Sequence, residues 1–292
     1  MSKVSSDTGT LARRIEELSA VPTPAALPDD VDETLDELLR ALEAGEVRAA
    51  ERDATGTWKA VPWVKRGILL AFRVGQTIDM TAYVTEGAPA RLFFFDKHTL
   101  PPRGFDLTDG VRIVPGGSSI RRGAYVASGV VCMPPMYINV GAYVGAGTMV
   151  DSHALVGSCA QIGARVHLSA GAQIGGVLEP VSATPVVVED DVLVGGNCGV
   201  YEGTVVRERA VLGAGVILTR GTPVFDLVRE TVHRGDGARP LEIPAGAVVV
   251  PGARSVRAEW GRSQHLSLQT PVIVKYRDEQ TDVATALEAW LR

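Results

Sequence analysis

From Ile120 onward the chain places an aliphatic residue or a cysteine at every sixth position: Ile120, Val126, Cys132, Ile138, Val144, Val150, Val156, Ile162, Leu168 and Ile174. The beat breaks at GGVLEPVSATPVV and resumes at Val188, Val194, Val200, Val206, Leu212 and Leu218. A helix repeats its apolar positions every three or four residues and a half-buried strand every two. A spacing of six fits a short strand and a sharp turn, three such units closing one triangular coil. The sixteen rungs then stack inward at roughly 4.8 Å, about five coils in a column of roughly 25 Å. The fourth position after a rung is mostly small (Ala124, Ala142, Thr148, Ala154, Ala160, Ala172), which leaves room beside the rung. Glycine often follows a rung directly, as at Gly145, Gly157, Gly163, Gly175, Gly195 and Gly213, and reads as supplying turn dihedrals.

The flanks carry other periods. DDVDETLDELLRALEAGEVRAAER sets Val31, Leu35, Leu38, Leu39 and Leu42 on one helical face, with Asp29 or Asp30 as its cap; WVKRGILLAFRV reads as a second helix. Three parts follow: a mostly helical domain over 1–105, the β-helix over 106–253, and a cap over 254–292. The β-helix carries an insertion at 175–187 and a polar stretch at 219–242, long enough to read as a lid. Ile243 and Val249 extend it by a last partial coil. In the cap, SLQTPVIVKYRD reads as a strand and TDVATALEAWLR as a short amphipathic helix, suitable covers for an open end. The fold class is mainly β, a parallel β-helix of hexapeptide repeats.

Composition narrows the function. A formal net charge of −5 argues against a nucleic-acid surface. No apolar run approaches the roughly 18 residues of a membrane span, and the N-terminus lacks a signal peptide's apolar stretch, so no membrane and a cytoplasmic location are expected. Cys132, Cys159 and Cys198 are too few and scattered for a disulfide framework or a zinc site. The five histidines form no ligand-like pair, so no metal is expected. No phosphate-loop pattern precedes a helix.

The repeat region is more than generic. GTMVD at 147–151, GSCAQIG at 157–163, VHLS at 166–169, IGGVLEP at 174–180 and PAGAVVVPG at 244–252 closely resemble the tetrahydrodipicolinate N-succinyltransferase family, and the resemblance reaches the N-terminal helices. It implies a left-handed column and a cytoplasmic homotrimer with active sites in clefts between subunits. It also implies succinyl-CoA as co-substrate and the ring-opened amine 2-amino-6-oxopimelate as acceptor, in diaminopimelate and lysine synthesis.

Three residues are the candidates for chemistry. Asp151 follows rung Val150 and so faces outward. It reads either as a solvated turn aspartate or as a carboxylate that takes a proton from an attacking amine; the resemblance implies the second, with Asp151 both catalytic and substrate-binding. Arg112, in GVRIVP, matches a family arginine that contacts the substrate, and a guanidinium suits a dicarboxylate. Arg121 and Arg122 are further cations near the first coil. Glu202, in VYEGTVV, is a weaker candidate for a second catalytic carboxylate: some members of the resembled family carry glutamate where this chain has Gly199, so either Glu202 takes over that role or Asp151 acts alone. His153 and His167 are rival bases of the kind that suits a hydroxyl acceptor, and read as structural or peripheral. The cysteines have no basic partner in their motifs for acyl-enzyme chemistry. The competing readings are the same fold with an acetyl donor or a sugar acceptor, and a non-enzymatic assembly subunit that binds no CoA.

Overall fold

The computed structural model describes residues 8–81, 93–237 and 239–278. Three helices, α1 (Thr8–Ala20), α2 (Val31–Glu43) and α3 (Pro62–Val74), open the chain. Their shared core is Leu11, Ile15, Leu35, Leu38, Leu42 and Ile68, all at most 3 % exposed. Asp30 stands at the start of α2 but caps nothing with its side chain. Both of its oxygens accept from Arg14, at 2.7 and 2.9 Å, so the acid ties α2 to α1 instead. Two short antiparallel hairpins interrupt the helical region: Ala50–Arg52 with Trp58–Ala60, and Thr77–Asp79 with Phe95–Lys97.

The sixfold beat winds into three parallel ladders. The first face stacks Ile120, Ile138, Val156, Ile174, Val200 and Leu218. The second stacks Val126, Val144, Ile162, Val188, Val206 and Ile243. The third stacks Ile113, Cys132, Val150, Leu168, Val194, Leu212 and Val249. From Ile120 to Val249 every rung is at most 5 % exposed, a continuous aliphatic core. Ile113 joins the ladder one step before the sequence signal begins. It escaped the pattern because it pairs with Cys132 across nineteen positions instead of eighteen.

The turn chemistry differs from the expectation. The left-handed backbone falls on the third residue after a rung, as at Gly123, Gly141, His153 and Cys159, and not on the glycine that follows the rung directly. Those glycines answer a steric demand. A Cβ on Gly157 would lie 2.2 Å from the backbone nitrogen of Gly176, and one on Gly145 would lie 2.5 Å from the carbonyl carbon of Gly163. They allow one coil to settle on the next.

The helical region docks against the corner between the first and second faces. Val140 and Cys159, from two successive turns there, belong to the helical core and not to the column's. Arg122 bridges Asp36 and Glu43 of α2. Fourteen positions separate Ile174 from Val188 where six would continue the beat, and the extra chain loops out at this same corner. Lys65 of α3, completely buried, donates to the carbonyls of Pro180 (3.2 Å) and Ala183 (2.7 Å) in that loop. Burial pushes its ammonium below the ordinary lysine value, and the two carbonyls are what a desolvated cation requires. Lys65→Met keeps the stem and removes the clamp. Hydrogen exchange at amides 176–184 is expected to quicken by roughly ten- to hundred-fold, since bonds to a charged group are worth about 1.5–3 kcal/mol. Rung amides are expected to keep their rates; unchanged exchange in the loop would show that the clamp holds nothing.

Beyond the last coil, Ala247–Ser255 and Ser267–Tyr276 pair antiparallel and extend the third face. The stretch 219–242 contributes a hairpin to this sheet, Val224–Asp226 with Thr231–His233. Asp226 anchors it, accepting from the Tyr276 hydroxyl at 2.6 Å and from the Val228 and Arg229 amides at 3.0 Å. Burial alone would raise this carboxyl, but the donors outweigh it and hold it below its usual range. The segment TDVATALEAWLR lies outside the described residues. Among the described residues no helix is long and apolar enough to cross a membrane.

Candidate active site

Asp151 sits at the corner between the third and first faces, immediately after the strand Met149–Val150. Its side chain is 29 % exposed, and Oδ1 accepts from the Ser152 amide at 2.7 Å. That bond fixes one oxygen and leaves the other toward the outer surface. His167, one coil further along the third face, brings Nε2 to 4.0 Å from Asp151 Oδ2. This is beyond hydrogen-bond reach. In sequence His167 looks peripheral; the eighteen-residue stacking of Met149 on His167 is the signal that places it beside the acid. His153 occupies the exposed, left-handed position of Asp151's turn. Arg112 lies exposed on the same third face, two ladder steps before Asp151. Arg121 and Arg122 are engaged elsewhere, in ion pairs to Asp96 and to α2.

Glu202 is at a different corner, between the first and second faces, two residues after rung Val200. One chain does not bring it to Asp151. Two and a third coils also separate them along the column, on the order of 11 Å at the ladder spacing. Glu202 has φ 54° and Gly203 follows at φ 74°. Two successive left-handed residues are unusual for this column, and a strained non-glycine residue at a surface cleft merits a functional reading. Glu202 Oε2 accepts from the Arg220 amide at 3.1 Å. Around it lies a groove of about 740 Å³ walled by Gly176, Val177, Glu179, Tyr201 and Arg220. The Lys65-clamped loop forms one side. At Gly199 the Tyr201 ring covers the backbone: a Cβ would lie 2.4 Å from it, so a side chain there would need the ring to move.

The cysteines are all buried. Burial pushes the Cys132 and Cys159 thiols up to about 12 and raises Cys198 as well, so none offers a thiolate near neutrality. Among the described residues no group of three His, Cys, Asp or Glu side chains is arranged to hold a metal.

Comparison with known proteins places the sequence in a family. Residues 11–74 match the profile described as tetrahydrodipicolinate N-succinyltransferase N-terminal, and 185–220 that described as hexapeptide repeat of succinyl-transferase. The 2,3,4,5-tetrahydropyridine-2,6-dicarboxylate N-succinyltransferase of Nitrobacter hamburgensis is 43 % identical over 272 residues, 92 % of each chain. That of Polynucleobacter asymbioticus is 41 % identical, covering 92 % of this chain and 93 % of its own. A Campylobacter jejuni protein described as a 2,3,4,5-tetrahydropyridine-2-carboxylate N-succinyltransferase superposes with a TM-score of 0.53 at 19 % identity. It covers 87 % of this chain and 64 % of that one, a likeness of fold alone.

Proposed function

Because this chain belongs to the tetrahydrodipicolinate N-succinyltransferase family of acyl-CoA-dependent acyltransferases, we propose that it transfers a succinyl group from succinyl-CoA to the amine of 2-amino-6-oxopimelate, the ring-opened acceptor, in diaminopimelate and lysine synthesis. The column winds left-handed in this reading, and three copies assemble in the cytoplasm as a homotrimer with a cleft between each pair. The helical part over 1–105, the column over 106–253 and the cap over 254–292 act as three units. The stretch 219–242 covers the donor, its Asp226-anchored hairpin serving as the fixed base.

The observation that carries the reading is the placement of Asp151: outward on a column corner, with one oxygen held by a backbone amide and the other presented. The neutral amine attacks the thioester carbonyl directly. The new C–N bond forms, Asp151 takes the amine proton, and the C–S bond breaks to release CoA. The buried, high-pKa cysteines speak for this single step over an acyl-enzyme. Arg112, on the same face, holds a carboxylate of the acceptor. Glu202 stands on the facing wall, contributed by a neighbouring subunit. There it steers the cationic amine inward and fixes the turn that carries Arg220. No metal enters the step.

Thiol release measured with the purified protein, the acceptor amine, and either succinyl-CoA or acetyl-CoA tests the reading. Release that requires both the acceptor and the succinyl donor supports it. Turnover with acetyl-CoA alone, or with a sugar or other hydroxyl acceptor in place of the amine, would overturn the substrate assignment.

A further inference from the structure

We propose that Arg220 is the residue that reads a substrate carboxylate in the groove beside Glu202, and so sets the preference for a dicarboxylic acyl donor or acceptor; this rests on the acyl-transfer reading above. Arg220 follows Leu218, the last rung of the first face, in a turn held from several sides. Its amide donates to Glu202, its carbonyl accepts from the Gly235 amide at 3.2 Å, and the Thr222 amide bonds the Thr219 carbonyl at 3.1 Å. The side-chain stem runs along Gly235, where a Cβ would lie 2.8 Å from Arg220 Cγ. The backbone and the stem are therefore ordered, while the head group is not matched.

Arg220 Nε is buried without a hydrogen-bond partner, and the guanidinium makes no ion pair among the described residues. Its neighbours are provided for. Arg207 pairs with Glu189 and Glu242, and Arg239, in the adjoining hollow, pairs with Asp236. A buried N–H of a charged group left unpaired carries a desolvation cost that a ligand would remove. The missing partner is an acceptor with two oxygens spaced for a guanidinium fork.

Two acids, Glu179 and Glu202, also wall the groove, and Glu202 is bonded to the Arg220 backbone and not to its head. A phosphate dianion would face both acids against a single cation. A monoanionic carboxylate suits this charge balance better. Two substrates carry one: the distal end of a succinyl group, and the acceptor. The chemistry is shared, and the experiment separates the sources.

Arg220→Met and Arg220→Lys would be assayed with succinyl-CoA and with butyryl-CoA, which replaces the distal carboxylate by a methyl group. Each donor would be paired with the dicarboxylate acceptor and with the α-amino acid of equal length lacking the ω-carboxylate. Loss of one charge-assisted fork corresponds to roughly a ten- to hundred-fold fall in kcat/KM. In Arg220→Met that fall is expected only with the carboxylate-bearing form of one substrate, and Arg220→Lys is expected to recover part of it. A fall confined to succinyl-CoA assigns the donor; one confined to the dicarboxylate acceptor assigns the acceptor. Equal losses with every pairing, or no loss, would overturn the inference while wild-type turnover left the acyl-transfer reading standing. A wild-type protein that turned over neither donor would instead sink that reading. Calorimetric binding of succinyl-CoA, butyryl-CoA and the two acceptors to wild-type and Arg220→Met protein would then decide the inference: equal affinities in the two proteins reject it.

Discussion

Asp151→Asn is expected to cut kcat by about 10²- to 10⁴-fold, the usual contribution of a positioned proton acceptor, while the protein melts as the wild type does. The substitution is nearly isosteric. An asparagine oxygen accepts from the Ser152 amide as Asp151 Oδ1 now does at 2.7 Å, so the turn keeps that bond. Rung Val150 beside it stays fully buried, and the ladder pairing of Met149 with His167 is untouched. What disappears is the second oxygen's capacity to take a proton from the amine as the C–N bond forms. The KM for the acyl-CoA is expected to change little, because the thioester does not depend on this carboxylate for binding. Stopped assays of kcat, with thermal melting of the same samples, check both halves. Near-normal kcat in a folded variant would remove Asp151 from the chemistry and return the residue to the role of a solvated turn aspartate.

The column was legible because a period of six fits neither a helix nor a half-buried strand, and because ten rungs from Ile120 to Ile174 and six from Val188 to Leu218 keep it. Where legibility failed, a local steric or electrostatic fact had outweighed the pattern. Ile113 lies off the beat because the first coil holds one extra residue, and no periodic test finds a rung displaced by one. Glycines after the rungs look like turn formers in sequence. Whether a glycine serves its own dihedral or the approach of the next coil depends on atoms eighteen residues away, such as Gly163 above Gly145. Asp30 has the chemistry of a helix cap, but Arg14 competes for it and takes both oxygens.

The site was less legible than the fold for the same reason. Asp151 was visible as an outward residue after a rung, and Arg112 only through the resemblance to a family arginine. The 4.0 Å approach of His167 to Asp151 needed the stacking register. Arg220 carried no motif at all. Its interest comes from an orphaned Nε, a property of packing that composition and spacing do not encode. Lys65, likewise, looks in sequence like any helix lysine until the loop it clamps is folded beneath it.

The placement of the two acids on different corners leads to a prediction about assembly. Asp151 borders one edge of the first face and Glu202 the other, so in the proposed trimer the two edges of one column would open into different clefts. Each cleft then takes its Asp151 from one subunit and its Glu202 from the next, a heterologous arrangement that closes around a threefold axis. Asp151→Asn removes the proton acceptor. Glu202→Lys puts a cation on the wall meant to attract the substrate ammonium and breaks the hold on the Arg220 turn. Each variant alone is expected to be nearly inactive. Co-expressed in equal amounts, they are expected to recover about a quarter of the wild-type rate, because random assembly gives one cleft in roughly four both native residues. Mixing the separately purified trimers without subunit exchange should recover nothing, which excludes a trivial sum. If co-expression yields trimers containing both variants, shown by differential tags, and the rate stays at the average of the two parents, Asp151 and Glu202 serve the same chain. The shared cleft would then have to be abandoned, along with Glu202's role on its facing wall.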